Sequence, residues 1–364
     1  MPPVMGAAAF IMSEMTGIPY LTICVAALLP ALFYYGSLSF SVVVEARRLG
    51  IEPVPPAERE VLTRRDWLRA QMFLVPILVI VGVLVMGRSP AMAGFLATLS
   101  ALAMGFLNPE LRSNPMVLVS SLARAGYAGG RIMVALAVIG MIIGMMNLTG
   151  LGLRFSNMVL SLGDGSLLVS LALTMIACLV LGMGMPTVPA YLIIVLVMGP
   201  AISELGIPAL LVHLFVLYFG VLSSITPPVA IAAYAAAPIA GSNPITTGVV
   251  AVRLALIGFI IPFVFVYNPS LVLVVGLTAP GLVWVVARLI LAIWLFSTAF
   301  GGFDQRPLSL PSRVLRPLVG LLMLVPNFGL ELGAFIFALA WLNSSRGVKY
   351  YRRLLGRPAL EREN

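Results

Sequence analysis

Residues 165–203 read GSLLVSLALTMIACLVLGMGMPTVPAYLIIVLVMGPAIS, 39 positions without an Asp, Glu, Lys or Arg. As one helix this run would measure about 58 Å, nearly twice the ~30 Å hydrocarbon core of a bilayer. It is interrupted by Gly182-Met183-Gly184-Met185-Pro186-Thr187, where glycine and proline oppose helix propagation. Each arm is then about 17 residues long, at or just under spanning length. Those lengths predict a re-entrant hairpin with its tip inside the membrane.

The remainder of the chain has the same character. Of 364 residues 61% are hydrophobic and 10% charged, and the mean hydropathy is +1.09. Uncharged runs at 15–44, 70–87, 89–109, 132–153, 205–252, 254–287 and 289–303 make this an all-α polytopic membrane protein rather than an outer-membrane barrel, whose short segments alternate. The net charge of +9 does not point to nucleic acid. Arg47, Arg48, Arg59, Arg64, Arg65 and Arg69 share one loop, and Arg346, Lys349, Arg352, Arg353, Arg357 and Arg362 share the C-terminal tail. Basic clusters flanking spans mark cytoplasmic segments, so loop and C-terminus are expected on that side. Cys24 and Cys178 lie in apolar runs and read as small core residues. No cofactor is expected, and the N-terminus has no basic region of a signal peptide.

Along the chain, residues 4–14 read as a half-helix and 20–44 as a span, with a polar, proline-containing linker at 46–66. Close spans follow at 68–87 and 90–107. Residues 116–130 are expected to lie at the interface, and 132–150 to span. After the hairpin come a span at 208–223, a break at Ser223-Ser224-Ile225-Thr226-Pro227-Pro228, a half-helix to Ala237 and a span at 246–267. Apolar stretches at 271–299 and 318–343, separated by a Pro/Arg-rich segment at 304–317, read as an appended bundle.

An internal repeat ties the two ends of this plan together. Pro2-Pro3-Val4, Ala7-Ala8 and Pro19 recur at an offset of 225 as Pro227-Pro228-Val229, Ala232-Ala233 and Pro244. A recurring Pro-Pro break in an apolar chain predicts a transporter built of two structural repeats. Proline frees the carbonyl of residue i−4, and unwound backbone at membrane depth is tolerated only where protein covers it or it lines a cavity. Such carbonyls, with the hydroxyls of Thr187, Ser223, Ser224 and Thr226, are hard oxygen ligands suited to sodium, while half-helix N-termini suit anions. The bland alternative is that these hydroxyls only pack helices together.

Charged residues at membrane depth are the other candidates. Glu14, Asp164 and Glu204 fall at helix ends, which implies interfacial placement. Arg253 and Arg288 are expected to snorkel, and His213 to be packed or interfacial rather than a proton relay. An intramembrane protease is not indicated, because Asp164 has no aspartate mate and His213 no nucleophile motif. No enzyme is expected.

From Gly182 to Pro269 the sequence GMGMPTVPAYLIIVLVMGPAISELGIPALLVHLFVLYFGVLSSITPPVAIAAYAAAPIAGSNPITTGVVAVRLALIGFIIPFVFVYNP strongly resembles the large-subunit permease (DctM-like) of tripartite ATP-independent periplasmic (TRAP) transporters, most closely the fused branch that works with TAXI-type binding proteins. MPPVMGAAAFIMSEMTGIPY at the N-terminus resembles the break in that family's first repeat. The resemblance covers nearly the whole chain. It implies an inverted-repeat, elevator-type sodium symporter of the bacterial inner membrane, supplied with an organic acid, typically a carboxylate, by a periplasmic substrate-binding protein. Carried over by motif, Gly182, Gly184, Pro186 and Thr187 match the second hairpin tip. Ser224, Thr226, Pro227 and Pro228 match the second broken helix, and Pro2 and Pro3 the first. Gly182, Thr187, Ser224 and Thr226 are the implied sodium ligands.

The family's small-subunit region and first hairpin, which precede the first break, have no counterpart in this sequence. The expectation is therefore a C-terminal permease portion that needs a missing N-terminal portion. A non-transporting remnant, or an assembly partner without its own site, is the alternative. The plan divides into a first-repeat remnant (1–45), linker (46–66), second repeat (67–268), appended helices (269–345) and basic tail (346–364).

Overall fold

The computed structural model describes residues 7–52, 55, 63–106, 116–150, 154, 157, 158, 161–163, 166–304 and 306–343. Four helical stretches among them are long and apolar enough to cross a membrane: Tyr20–Arg48, Thr187–Glu204, Pro244–Tyr267 and Ala279–Gly301. The protein is thus a polytopic helical membrane protein. It separates into two compact units, one of Met1–Leu32 with Glu52–Gly276 and the other of Phe33–Ile51 with Leu277–Asn364.

The first unit opens with α1 (Ala7–Thr16) and the start of α2 (Tyr20–Arg48). Next come α3 (Arg64–Val85) and α4 (Pro90–Gly105), packed against one another. Local chemistry sets their starts. Thr63 and Asp66 close a capping box on α3, and Ser89 caps α4 with Pro90 in its first turn. Helix α5 (Met116–Thr149) corrects the expectation of an interfacial helix followed by a separate span. It runs unbroken through Gly129-Gly130, because two glycines cost only about 1 kcal/mol each and the segment contains no proline.

The hairpin arms are α6 (Leu167–Gly182) and α7 (Thr187–Glu204), followed by α8 (Ala209–Leu222). These three helices pack pairwise, and α1 rests on α7 and α8. A 3-10 turn (Ser223–Ile225), the short α9 (Ile231–Ala236), α10 (Pro244–Leu254) and α11 (Leu256–Tyr267) complete the unit. Aromatic edges hold α8 against α11: Phe215 and Phe219 meet Phe263 at centroid distances of 5.6 and 6.0 Å, and Tyr218 meets Phe265 at 5.9 Å. This packing makes α8 a firm base for the break at its end.

In the second unit the remainder of α2 meets α12 (Ala279–Gly301) through small residues. The Ser41 hydroxyl donates to Ser297 Oγ at 2.9 Å, and a Cβ on Gly301 would lie 2.7 Å from Val44 Cγ1. Helix α2 ends at Arg48, within the Glu45-Ala46-Arg47-Arg48 segment that closes its apolar run, and Glu45 pairs with Arg48 one turn apart. The apolar stretch at 318–343, read as part of an appended bundle, is divided between two helices, α13 (Leu310–Leu322) and α14 (Phe328–Asn343). Pro326 cannot continue α13, and Asn327 Oδ1 accepts from the N–H groups of Gly329 and Leu330 to start α14.

Arg288 does not snorkel. Its side chain is fully buried and paired with Glu331, whose other oxygen accepts from Trp284 Nε1 at 2.9 Å. A charge held this way keeps its partner inside the fold and needs no route to water. Arg316 is likewise buried, donating to Asp304 Oδ2 at 3.0 Å and Thr298 Oγ1 at 2.5 Å, with its guanidinium over Trp294 and Trp341.

Candidate functional site

Helix α6 ends at Gly182, whose Cα hydrogen faces the end of α8. A Cβ there would lie 2.5 Å from Ser223 Oγ and 3.0 Å from Ser223 Cβ, so only glycine lets the arm approach this closely. Gly184 turns the tip with φ +78°, a left-handed conformation, and its Cβ position lies 3.6 Å from Val229 Cγ1. Pro186 precedes the first residue of α7, Thr187. Gly182 is buried, whereas Gly184, Pro186 and Thr187 are exposed.

The second break faces this tip. Three successive hydroxyls donate back to the last turn of α8: Ser223 to Gly220 O, Ser224 to Val221 O and Thr226 to Leu222 O, each at 2.7 Å. Pro227 and Pro228, joined by a cis peptide, have no N–H to offer the carbonyls of Ser223 and Ser224. Ser223 O takes the Thr226 N–H instead, at 3.2 Å. The far side of the break is braced by the Tyr234 hydroxyl, which donates to Pro228 O at 2.7 Å. Gly248 of α10 comes close to both, its Cβ position being 3.2 Å from Pro227 Cγ and 3.3 Å from Tyr234 Cε1.

The fold therefore brings together the tip and the break that sequence singled out separately. Ser224, Thr226 and Pro227 are half-buried, and Pro228 is exposed. Pro2 and Pro3, like Asp164, lie outside the described residues. Ser223 is the serine seated on the hairpin, a distinction from Ser224 that no sequence signal carries. Tyr234 and Gly248 were likewise hidden, since a single tyrosine or glycine in an apolar helix is unremarkable. Glu14 and Glu204 are exposed near helix ends. His213 of α8 is half-buried, its Nδ1 2.6 Å from the Tyr191 hydroxyl of α7.

The family model described as "Tripartite ATP-independent periplasmic transporter, DctM component" matches residues 1–300. The chain belongs to the DctM family. As a DctM component it is the permease of a TRAP transporter, a multi-pass membrane protein that works with a TRAP substrate-binding protein and is not an enzyme. The match contains the hairpin and the break and ends within α12, so α13 and α14 lie beyond it. No curated protein and no solved structure gives a significant match.

Proposed function

We propose that this DctM permease is a sodium-coupled, elevator-type symporter that receives an organic acid, a carboxylate, from a TAXI-type periplasmic protein. The observation that carries the reading is the seat of Gly182 on Ser223, which sets the hairpin tip beside unwound backbone at Thr226-Pro227-Pro228. A hydroxyl that donates its hydrogen to a backbone carbonyl keeps its lone pairs, so Ser224 and Thr226 present oxygen as acceptor only. Hard oxygen ligands of this kind, with Thr187 and the Gly182 carbonyl across the tip, suit sodium. Gly184, Pro186, Pro227 and Pro228 set the backbone course of the tip and the break, and Pro2-Pro3 serves the equivalent first-repeat site. In this reading 67–268 form the second repeat, and the basic loop and tail face the cytoplasm of the inner membrane.

The test is uptake into proteoliposomes containing the permease, with a TAXI-type protein loaded with a carboxylate. An inward sodium gradient should drive accumulation. Equal uptake with potassium replacing sodium would refute the coupling, and delivery only by a binding protein of another type would refute the TAXI assignment.

A further inference from the structure

Helices α13 and α14 lie beyond residues 1–300, and the proposed sodium chemistry does not use them. Side-chain contacts fix their course along α12. Arg313 lies over Gly302, its Cζ 3.0 Å from the Cβ position there, and Arg316 donates to Thr298. Gly320 meets Phe296, and Met323 O accepts from Arg288 Nη1 at 3.0 Å. Helix α13 therefore runs antiparallel to α12, from its C-terminal end to its middle. Helix α14 runs back: Glu331 pairs with Arg288, Phe335 meets Trp284 at a centroid distance of 5.0 Å, and Trp341 faces Arg316. At 13 and 16 residues these helices measure about 20 and 24 Å, short of the ~30 Å hydrocarbon core.

The two sides of α13 are inverted relative to a helix that faces water. Arg316 is turned inward to Asp304, whereas Leu310, Val314, Leu318 and Leu321 are 50–75% exposed. Where the helix begins, Arg306 and Arg313 are exposed as well. Ser41 bonds to Ser297 and Val44 lies beside Gly301, so α2 runs parallel to α12 and brings exposed Arg47 to the same end. Two acids nearby, Glu45 and Asp304, are already paired with Arg48 and Arg316. This end of the unit is left positive.

We infer that α13 and α14 form a re-entrant hairpin within one leaflet, and that its mouth binds anionic phospholipid. The outward face of α13 meets acyl chains, and Arg306 and Arg313 take the headgroup phosphates. Both ends of the hairpin then lie on one side of the membrane. An apolar face bordered by basic residues suits an anionic interface, where each arginine near the surface adds attraction. A zwitterionic headgroup offers the same phosphate but cancels its charge, so the preference is for anionic lipid.

Neither sodium nor transport enters the test, so loss of sodium coupling would leave its outcome in place. Full-length Cys24→Ser/Cys178→Ser protein carrying one new cysteine is placed in right-side-out and in inverted membrane vesicles. A membrane-impermeant maleimide should label Ser309→Cys and Asn364→Cys in the same vesicle type, and Val325→Cys at the tip in neither. Labelling of the first two in opposite types, or of Val325→Cys in either, overturns the hairpin. For the lipid site, bimane on Val314→Cys is read in mixed phosphatidylcholine–phosphatidylglycerol bilayers with bromine on one lipid or the other. Brominated phosphatidylglycerol should quench beyond its share of the lipid. Arg306→Gln and Arg313→Gln should each lower that preference about two- to fivefold, and lysine at either position should keep it. Equal quenching by the two lipids, a preference indifferent to both glutamine variants, or one of equal size for bimane on Val325→Cys overturns the site.

Discussion

Gly182 and Ser223 meet with no room for a methyl group between them: a Cβ on the glycine would lie 2.5 Å from the serine oxygen and 3.0 Å from its Cβ. Turning the flexible hydroxyl away would still leave the serine Cβ at 3.0 Å, tighter than ordinary van der Waals contact. Gly182→Ala should destabilise the permease by about 1–3 kcal/mol, as overpacking does. Thermal unfolding in detergent reads this directly. Adding Ser223→Ala should restore about 1 kcal/mol through coupling of neighbouring sites. Parental stability in Gly182→Ala would show that the arm is not seated there.

Thr226 supplies a hydroxyl to Leu222 O at 2.7 Å and keeps its lone pairs toward the break. Thr226→Val preserves shape and removes the oxygen. The half-saturating sodium concentration for uptake should rise by about 10- to 100-fold, the worth of one bond to a charged partner, while Thr226→Ser stays near the parent. An unchanged sodium requirement in the valine variant would make the hydroxyl purely structural.

Arg288 and Glu331 form a buried ion pair with Trp284 as a third member. Removing one charge strands the other, so Arg288→Met or Glu331→Leu alone should cost about 3–5 kcal/mol. The double variant, which leaves neither charge behind, should unfold closer to the parent than either single. Additive losses in a thermal-shift series would contradict this.

Asn327 caps α14 through bonds of 3.1 and 3.3 Å to the N–H groups of Gly329 and Leu330. Asn327→Ala should lower stability by about 1 kcal/mol, and Asn327→Asp should retain most of it. The comparison is made by thermal unfolding at fixed detergent concentration, and equal values for all three proteins would remove the cap from the account.

Membrane class, helix arms and both interruptions were legible in sequence because they rest on local physics. Absence of charge over a span, glycine and proline at 182–187, and the Pro-Pro pair at 227–228 act on the chain within a few residues. Local signals were less sufficient at Gly129-Gly130, where helix propagation overrode weak propensity, and at 318–343, where one proline and one capping asparagine divided an apolar run. Tertiary structure alone decided which serine meets the hairpin, that Arg288 turns inward to Glu331, and that Tyr191 finds His213. Each of those outcomes depends on how helices distant in sequence are rotated and registered against one another. A polar side chain's identity cannot reveal that register; only the packed neighbour supplies the partner that makes its burial tolerable.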